Sequence, residues 1–256
     1  MTLSSIQAYE DWRARARQHL RDGVSPDQLD WTAAPQLDLF ARVTPREDKT
    51  FNVPKSFPEW ARVLACHRDP DKWSLLYQAL WRLTHGEPHL LVMATDPLIH
   101  RLRRMQQAVR RDAHKAKAFV RFRLLQEDGQ DHYIAWHQPD HLILGIVAPF
   151  FQRRFSVMRW SVFTPDESAS WDGEKLFYGA GVPADQVRHG DDFEAVWRAY
   201  YKATFNPARI KIGMMKREMP TRYWATMPET DLIPAMLAEA NARVSAMIEP
   251  SGNKQR

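Results

Sequence analysis

The residues best suited to chemistry lie in RLRRMQQAVRRDAHKAKAFVRFR, residues 101–123. This stretch sets Arg101, Arg103, Arg104, Arg110, Arg111, Lys115, Lys117, Arg121 and Arg123 against one acid, Asp112. On an α-helix, Arg103, Arg110, His114 and Lys117 fall along one line and Arg104, Arg111 and Lys115 along a second beside it. Both lines oppose the apolar stripe of Leu98, Leu102, Met105 and Val109. A solvated helix face ordinarily interleaves both signs of charge to relieve repulsion, and this one does not. Arginine also outnumbers lysine, as planar, two-pronged contacts to phosphate require. The pattern therefore points to phosphate binding, against the plainer account of a solvated face. The period then switches to two: Val120, Phe122 and Leu124 point one way, and Phe119, Arg121 and Arg123 the other. A strand with a basic free face would combine base stacking with phosphate contact.

Further cations could extend such a groove. Arg153, Arg154 and Arg159 form one cluster, and Arg209, Lys211, Lys216, Arg217 and Arg222 another. Trp171, in SASWDG at an expected hairpin turn, is a candidate exposed wedge for a base stack, with folding back over the sheet as the alternative.

Catalytic signals are weaker. Asp112 and His114 lie two apart, so a helix points them about 160° away from each other. In CHRDP, residues 66–70, Asp69 serves as a helix cap and His67 as a hydrogen-bonded neighbour more readily than as an acid–base pair. Lys115 could act as an amine nucleophile if desolvated, yet on so basic a face it reads first as a phosphate contact. His67, Asp112, His114 and Lys115 are thus the catalytic candidates. His132, His137 and His141 match no zinc spacing, and there is no phosphate-binding glycine loop, nucleophile elbow or iron–sulfur cysteine set. No metal or cofactor is expected.

The elements that must position these residues can be read from caps and periodicity. Residues 5–22 form an amphipathic helix ended by Gly23, and residues 24–55 form an extended arm rich in Pro, Asp and Gln. Ser56 and Glu59 have capping-box spacing for a helix to about Cys66. Asp69-Pro70 and Asp96-Pro97 open two more, the second running to about Lys117. A strand over 119–124 turns at Asp128-Gly129 into a strand over 132–137. A helix over 139–155 follows, then a hairpin of strands 158–163 and 175–178. Helices over 191–205, 206–219 and 231–246 complete the chain. The expected fold is α+β: a mainly helical single domain around a small, mainly antiparallel sheet made of two β-hairpins separated by a helix. Residues 1–55 form the N-terminal helix and arm, 56–247 the main domain and 248–256 a frayed tail.

Of the 256 residues, 44% are hydrophobic, 26% charged and 11% aromatic, a globular balance. The net charge of +5 suits a polyanionic partner without requiring one. Cys66 is the one cysteine, so no intramolecular disulfide can form, which fits a reducing cytoplasm. No stretch approaches the roughly 18 apolar residues of a membrane helix, so no membrane partner is expected.

The motifs CHRDP (66–70), LWRLTHGE (80–87), MQQAVRRDAHKAKAFVRFR (105–123), APFFQRRF (148–155), MRWSVFTP (158–165), SASWDG (168–173), YYKATFNPARIK (200–211) and REMPTRYWATMPE (217–229) together resemble a bacterial family assigned to DNA metabolism and repair. The resemblance covers most of the chain from about residue 55. Its members are often fused to a uracil-DNA glycosylase of the uracil-binding type, or encoded beside a radical-SAM protein similar to spore photoproduct lyase. The resemblance implies a DNA-repair setting, with glycosylase catalysis supplied by another polypeptide, and carries no catalytic residue over. The first expectation is a DNA-binding accessory protein. A repair enzyme (glycosylase, lyase or nuclease) and a scaffold that docks a repair enzyme are the alternatives.

Overall fold

A computed structural model describes residues 4–31, 51–127, 129–187 and 212–238. Helix α1, Ser5–Arg21, is capped by the Ser4 hydroxyl, which accepts from the Gln7 amide. It buries Tyr9, Trp12, Ala16 and Leu20, four or three apart, on one face. That face packs on α2 (Ser56–Ala65) and α3 (Lys72–Thr84). Trp12 lies against both Trp31 and Trp73, with ring centres 6.0 and 5.8 Å apart, and its indole N–H donates to the Trp73 carbonyl at 3.2 Å.

The long helix α4, Pro97–Phe119, is the spine of the molecule. Asp96 caps it by accepting from the Ile99 amide, and Pro97 occupies the first turn, where its missing N–H costs nothing. Its Ile99, Leu102 and Met105 belong to the core shared with α1, α2 and α3. Further along the same stripe, Val109, Ala113 and Ala116 belong to a second core beneath the sheet.

The sheet has five strands in the order β1 (Arg123–Glu127), β2 (Gln130–Trp136), β3 (Trp160–Phe163), β4 (Glu167–Trp171) and β5 (Leu176–Ala180). All neighbours run antiparallel except β2 and β3, which are parallel because α5 (Leu144–Arg154) carries the chain back between them. Tyr133, Ala135, Trp160, Val162, Ala169, Trp171, Leu176 and Tyr178 share the face that packs in the second core. The opposite face carries a polar rung in which His132 Nε2 lies 2.9 Å from the Ser161 hydroxyl and that hydroxyl 2.8 Å from Ser170.

The α+β class and the mainly antiparallel sheet agree with the sequence reading, and four details change. The strand expected over 119–124 starts later: α4 runs through Phe119, residues 120–122 are in neither helix nor strand, and β1 begins at Arg123. The second hairpin is a three-stranded meander. β4 (ESASW) lacks the β-branched residues that advertise a strand and is held by burial of Ala169 and Trp171 between its neighbours. Helix α5 begins at Leu144 rather than 139, because residues 139–142 are tied to the CHRDP loop. Helix α6, Ile212–Glu218, precedes two 3-10 turns, Thr221–Thr226 and Pro228–Leu232, that the sequence reading did not anticipate. The helix expected over 191–205 lies outside the described residues.

A close approach of α1 and α5 depends on Gly145. A Cβ there would stand 2.8 Å from Ile6 Cγ1 and 3.1 Å from Ser5 Oγ. Gly145→Ala should therefore cost about 1–3 kcal/mol through overpacking, read as a lower urea midpoint at unchanged slope.

Candidate functional site

The outward side of α4 carries the cations singled out in the sequence. Arg104, Arg110, Arg111, His114 and Lys117 are exposed and Lys115 half-exposed. Asp112, the acid of this stretch, faces inward at 3% exposure. Arg104, Arg110, Arg111 and Lys117 have no ion-pair partner among the described residues. Lys115 Nζ donates to the Arg217 carbonyl at 3.3 Å, which brings the basic end of α6, with Lys216 and Arg217, alongside.

Three concavities follow one another along this helix. One of about 480 Å³ is lined by His67, His100, Arg101, Arg104, Gln107 and Arg111. The next, about 730 Å³, is lined by Arg110, Arg111, His114, Lys115, Phe119 and Arg217, with Glu218 of the neighbouring helix as its one acid. The third, about 330 Å³, lies beyond the end of α4 among Lys117, Phe122, Tyr133, Phe150, Phe155 and Met158. Arg111 is common to the first two and Ala118 to the last two, so they form one track. From Arg104 to Ala118 the helix rises about 21 Å.

Several predicted residues serve the fold instead. Arg103 donates to the Leu91 carbonyl at 2.9 Å and covers Trp60. Arg121, expected on a free strand face, is 13% exposed and pairs with Glu229 at 2.8 Å, clamping the 3-10 segment to the end of α4. Arg123 is likewise engaged, and it lines a separate hollow with Trp136 and Thr226. Trp171, expected exposed, is 7% exposed and donates to the Ser156 carbonyl at 2.9 Å, so it wedges into the core and not into a base stack. Arg153 and Arg154 are exposed, and Arg154 covers the Phe155 ring beside the third concavity. Arg209 and Lys211 lie outside the described residues. The sequence reading missed His100, an exposed residue that lines the first concavity beside Arg101.

The catalytic candidates do not converge on one reacting point. Asp112 accepts from the His141 amide at 2.8 Å and from the Tyr223 hydroxyl at 3.1 Å. Burial raises its pKa, against the lowering effect of those two hydrogen bonds. His67 Nδ1 accepts from the Asp69 amide at 3.1 Å, which places the proton of the neutral ring on Nε2. Burial lowers the pKa of His67, and its ring packs on His141 with centres 4.4 Å apart. His114 lies about 160° around α4 from Asp112, whereas Lys115 lies only about 60° from it and donates instead to the Arg217 carbonyl.

The CHRDP loop is itself a junction. Lys72, 6% exposed, donates to the carbonyls of Ala65 at 2.7 Å and His67 at 2.6 Å, closing the C-terminus of α2. Its burial pulls the ammonium pKa down to about 8, while burial drives the Cys66 thiol up to about 12, leaving an unreactive thiol. Arg68 binds the Asp166 carboxylate and donates to the Asp140 carbonyl, Arg101 bridges Asp69 and Asp71, and Arg222 pairs with Asp140. Among the described residues no group of three or more His, Cys, Asp or Glu side chains is arranged to hold a metal, and no helix is long and apolar enough to cross a membrane.

Fold and surface together define an α+β protein built on one long helix with an apolar inner face and an acid-free cationic outer face. Residues 70–229, more than half of the chain, match the family model DUF4130, a domain of unknown function, and the chain belongs to that family. No curated protein and no solved structure matches it.

Proposed function

We propose that this protein binds DNA through the outer face of α4, as an accessory factor in a repair pathway. One observation carries the reading. The cations of α4 are exposed along a continuous track, and the acid within the same stretch is withdrawn into the core. A face that merely kept the protein soluble would gain from acids spaced among its bases, whereas a phosphate-binding face is weakened by them. Of the predicted phosphate contacts, Arg104, Arg110, Arg111, His114, Lys115, Lys117, Arg153 and Arg154 remain, with Lys216 and Arg217 adjoining α4. The repair setting rests on the resemblance of the CHRDP, MQQAVRRDAHKAKAFVRFR and APFFQRRF motifs to the DNA metabolism family. That resemblance also suggests a uracil-DNA glycosylase or radical-SAM protein as the partner that acts on the bound DNA.

The test is binding of labelled single-stranded, duplex, uracil-containing and abasic DNA across a salt series, with the strands run afterwards on a denaturing gel. Affinity should fall steeply with salt. The Arg110→Ala/Arg111→Ala/Lys115→Ala variant should bind about 10–100-fold more weakly at low salt, with a log–log salt slope shallower by about 2. Absence of wild-type binding at low salt would overturn the reading, and lesion-dependent strand cleavage would make the protein an enzyme.

A further inference from the structure

We propose that the concavity beyond the C-terminal end of α4 receives an unpaired nucleobase, so that the strand held by the helix is single-stranded DNA. The inference rests on the reading of α4 as a DNA-binding surface and adds the form of nucleic acid that it takes.

The first support is the change in chemistry along the track. The two concavities beside α4 are lined mainly by cations and histidines, which suit phosphates. The third is lined by Phe122, Tyr133, Phe150, Phe155 and Met158, with Lys117, Arg121 and Arg154 as the cations of its lining. Its volume, about 330 Å³, falls at the small end of the range for sites that enclose a compact planar ligand. Aromatic walls with flanking cations are the arrangement on which single-stranded nucleic acids stack their bases while phosphates stay at the edge.

The second support is rigidity. Phe122 stands edge-on to Phe151 and Phe155, with ring centres 5.4 and 5.6 Å away at 84° and 76°. Phe151 is 2% exposed and packs edge-on to Trp160, which is fully buried. The half-exposed rings are thus braced from behind by buried ones, and little side-chain entropy remains to be lost when a base enters. Phe122, Tyr133, Phe150 and Phe155 all pack on the second core and still leave one open hollow between them.

The third support is charge at the rim. Lys117 Nζ lies 5.0 Å from the centre of the Phe150 ring, and the Arg154 guanidinium 5.5 Å from that of Phe155. Neither has an ion-pair partner among the described residues, and Arg153 is exposed beside them. These cations can meet the phosphates on either side of an inserted base. A base within a duplex offers only its edge, because its faces are covered by its neighbours, so the hollow selects an unstacked nucleotide. A surface that read backbone charge alone would favour duplex, which has the denser phosphates.

The experiment uses the full chain with fluorescent oligonucleotides of one length, single-stranded or duplex, at one low salt concentration, and single strands carrying one abasic position moved along the sequence. Wild type should bind the single strand at least tenfold more tightly than the duplex, and one abasic position should cost about tenfold, the size of one base–aromatic stack. Phe150→Ala, checked for an unchanged melting temperature, should cost the same factor for the single strand and nothing for the duplex. Combined with the abasic position it should cost no more than either change alone. Equal affinity for duplex and single strand, or an abasic series in which no position costs more than twofold, would overturn the proposal; the abasic series does so even if Phe150→Ala does not fold. Absence of binding to either form would instead overturn the underlying reading of α4, and with it this one.

Discussion

Glu167→Ala should destabilise the protein by about 3–5 kcal/mol, among the largest losses any single side chain of this fold would give. Glu167 is 3% exposed at the start of β4, yet it acts on two helices. One carboxylate oxygen accepts from the Ser5 amide and the Ser5 hydroxyl, both at 3.1 Å, and the other from the Leu144 amide at 2.9 Å. Ser5 and Leu144 are the first residues of α1 and α5, so one buried carboxylate satisfies donors left open at two helix N-termini, where the helix dipoles also favour negative charge. Alanine would leave those donors buried without an acceptor. Glu167→Gln keeps the shape but turns an N–H₂ group toward donors, and should recover less than half of the loss. Urea unfolding with limited proteolysis checks this: the midpoint should fall and cleavage should appear first within α1 as it separates from α5. An unchanged midpoint for Glu167→Ala would remove the carboxylate from the account of how the helices meet.

The second large effect is loss of stability in acid, centred on His137. This side chain is 1% exposed, stacks on Tyr223 with ring centres 5.0 Å apart, and has no hydrogen-bond partner at either ring nitrogen among the described residues. Burial, with Arg222 nearby and Asp140 opposing, lowers its pKa to about 4 from the ordinary 6.5. The unfolded chain therefore takes up the proton first. The stability held by neutral His137 is complete above about pH 6.5 and is lost as the pH falls toward about 4, to the extent of about 3 kcal/mol. His141, lowered to about 4 by burial and by His67, adds loss of the same sign, while the raised pKa of buried Asp112 works in the opposite direction. His137→Phe keeps the stack and removes the titration. Unfolding free energies at pH 7.5, 6, 5 and 4.5 should fall steeply in wild type and less steeply in this variant. Parallel curves for the two proteins would show that His137 is not the group responsible.

How much of this was legible beforehand depended on whether the deciding interaction was local. Helices α1 to α4 could be read because their apolar stripes repeat within a few residues, and Asp96 and Pro97 also mark the start of α4. The caps expected at Ser56 and Asp69 are not made: Lys55 and Asp71 stand at the N-caps of α2 and α3 with no side-chain capping hydrogen bond. The cationic outer face of α4 followed from its period. Strand β4 was not legible because its residues have little strand preference, and only partners on both sides make it a strand. The start of β1 was misplaced because α4 remains helical through Phe119, whose ring packs on Tyr223 about a hundred residues later.

By itself the sequence determined the α+β class, the long basic helix and the absence of a zinc or nucleophile motif, since composition, period and spacing are properties of the chain alone. Only the tertiary structure decided which charges face outward. Arg103 and Arg121 carry the same formal charge as Arg110 and Arg111, but Leu91 and Glu229 draw the first two into the fold, and partners so distant leave no trace in local pattern. The same holds for Trp171, drawn inward by packing across β3 and β5, and for the aromatic hollow, whose walls come from three separate stretches. Long-range pairing converts identical residue types into binding surface or structural clamp, because burial and desolvation depend on what the folded chain brings alongside.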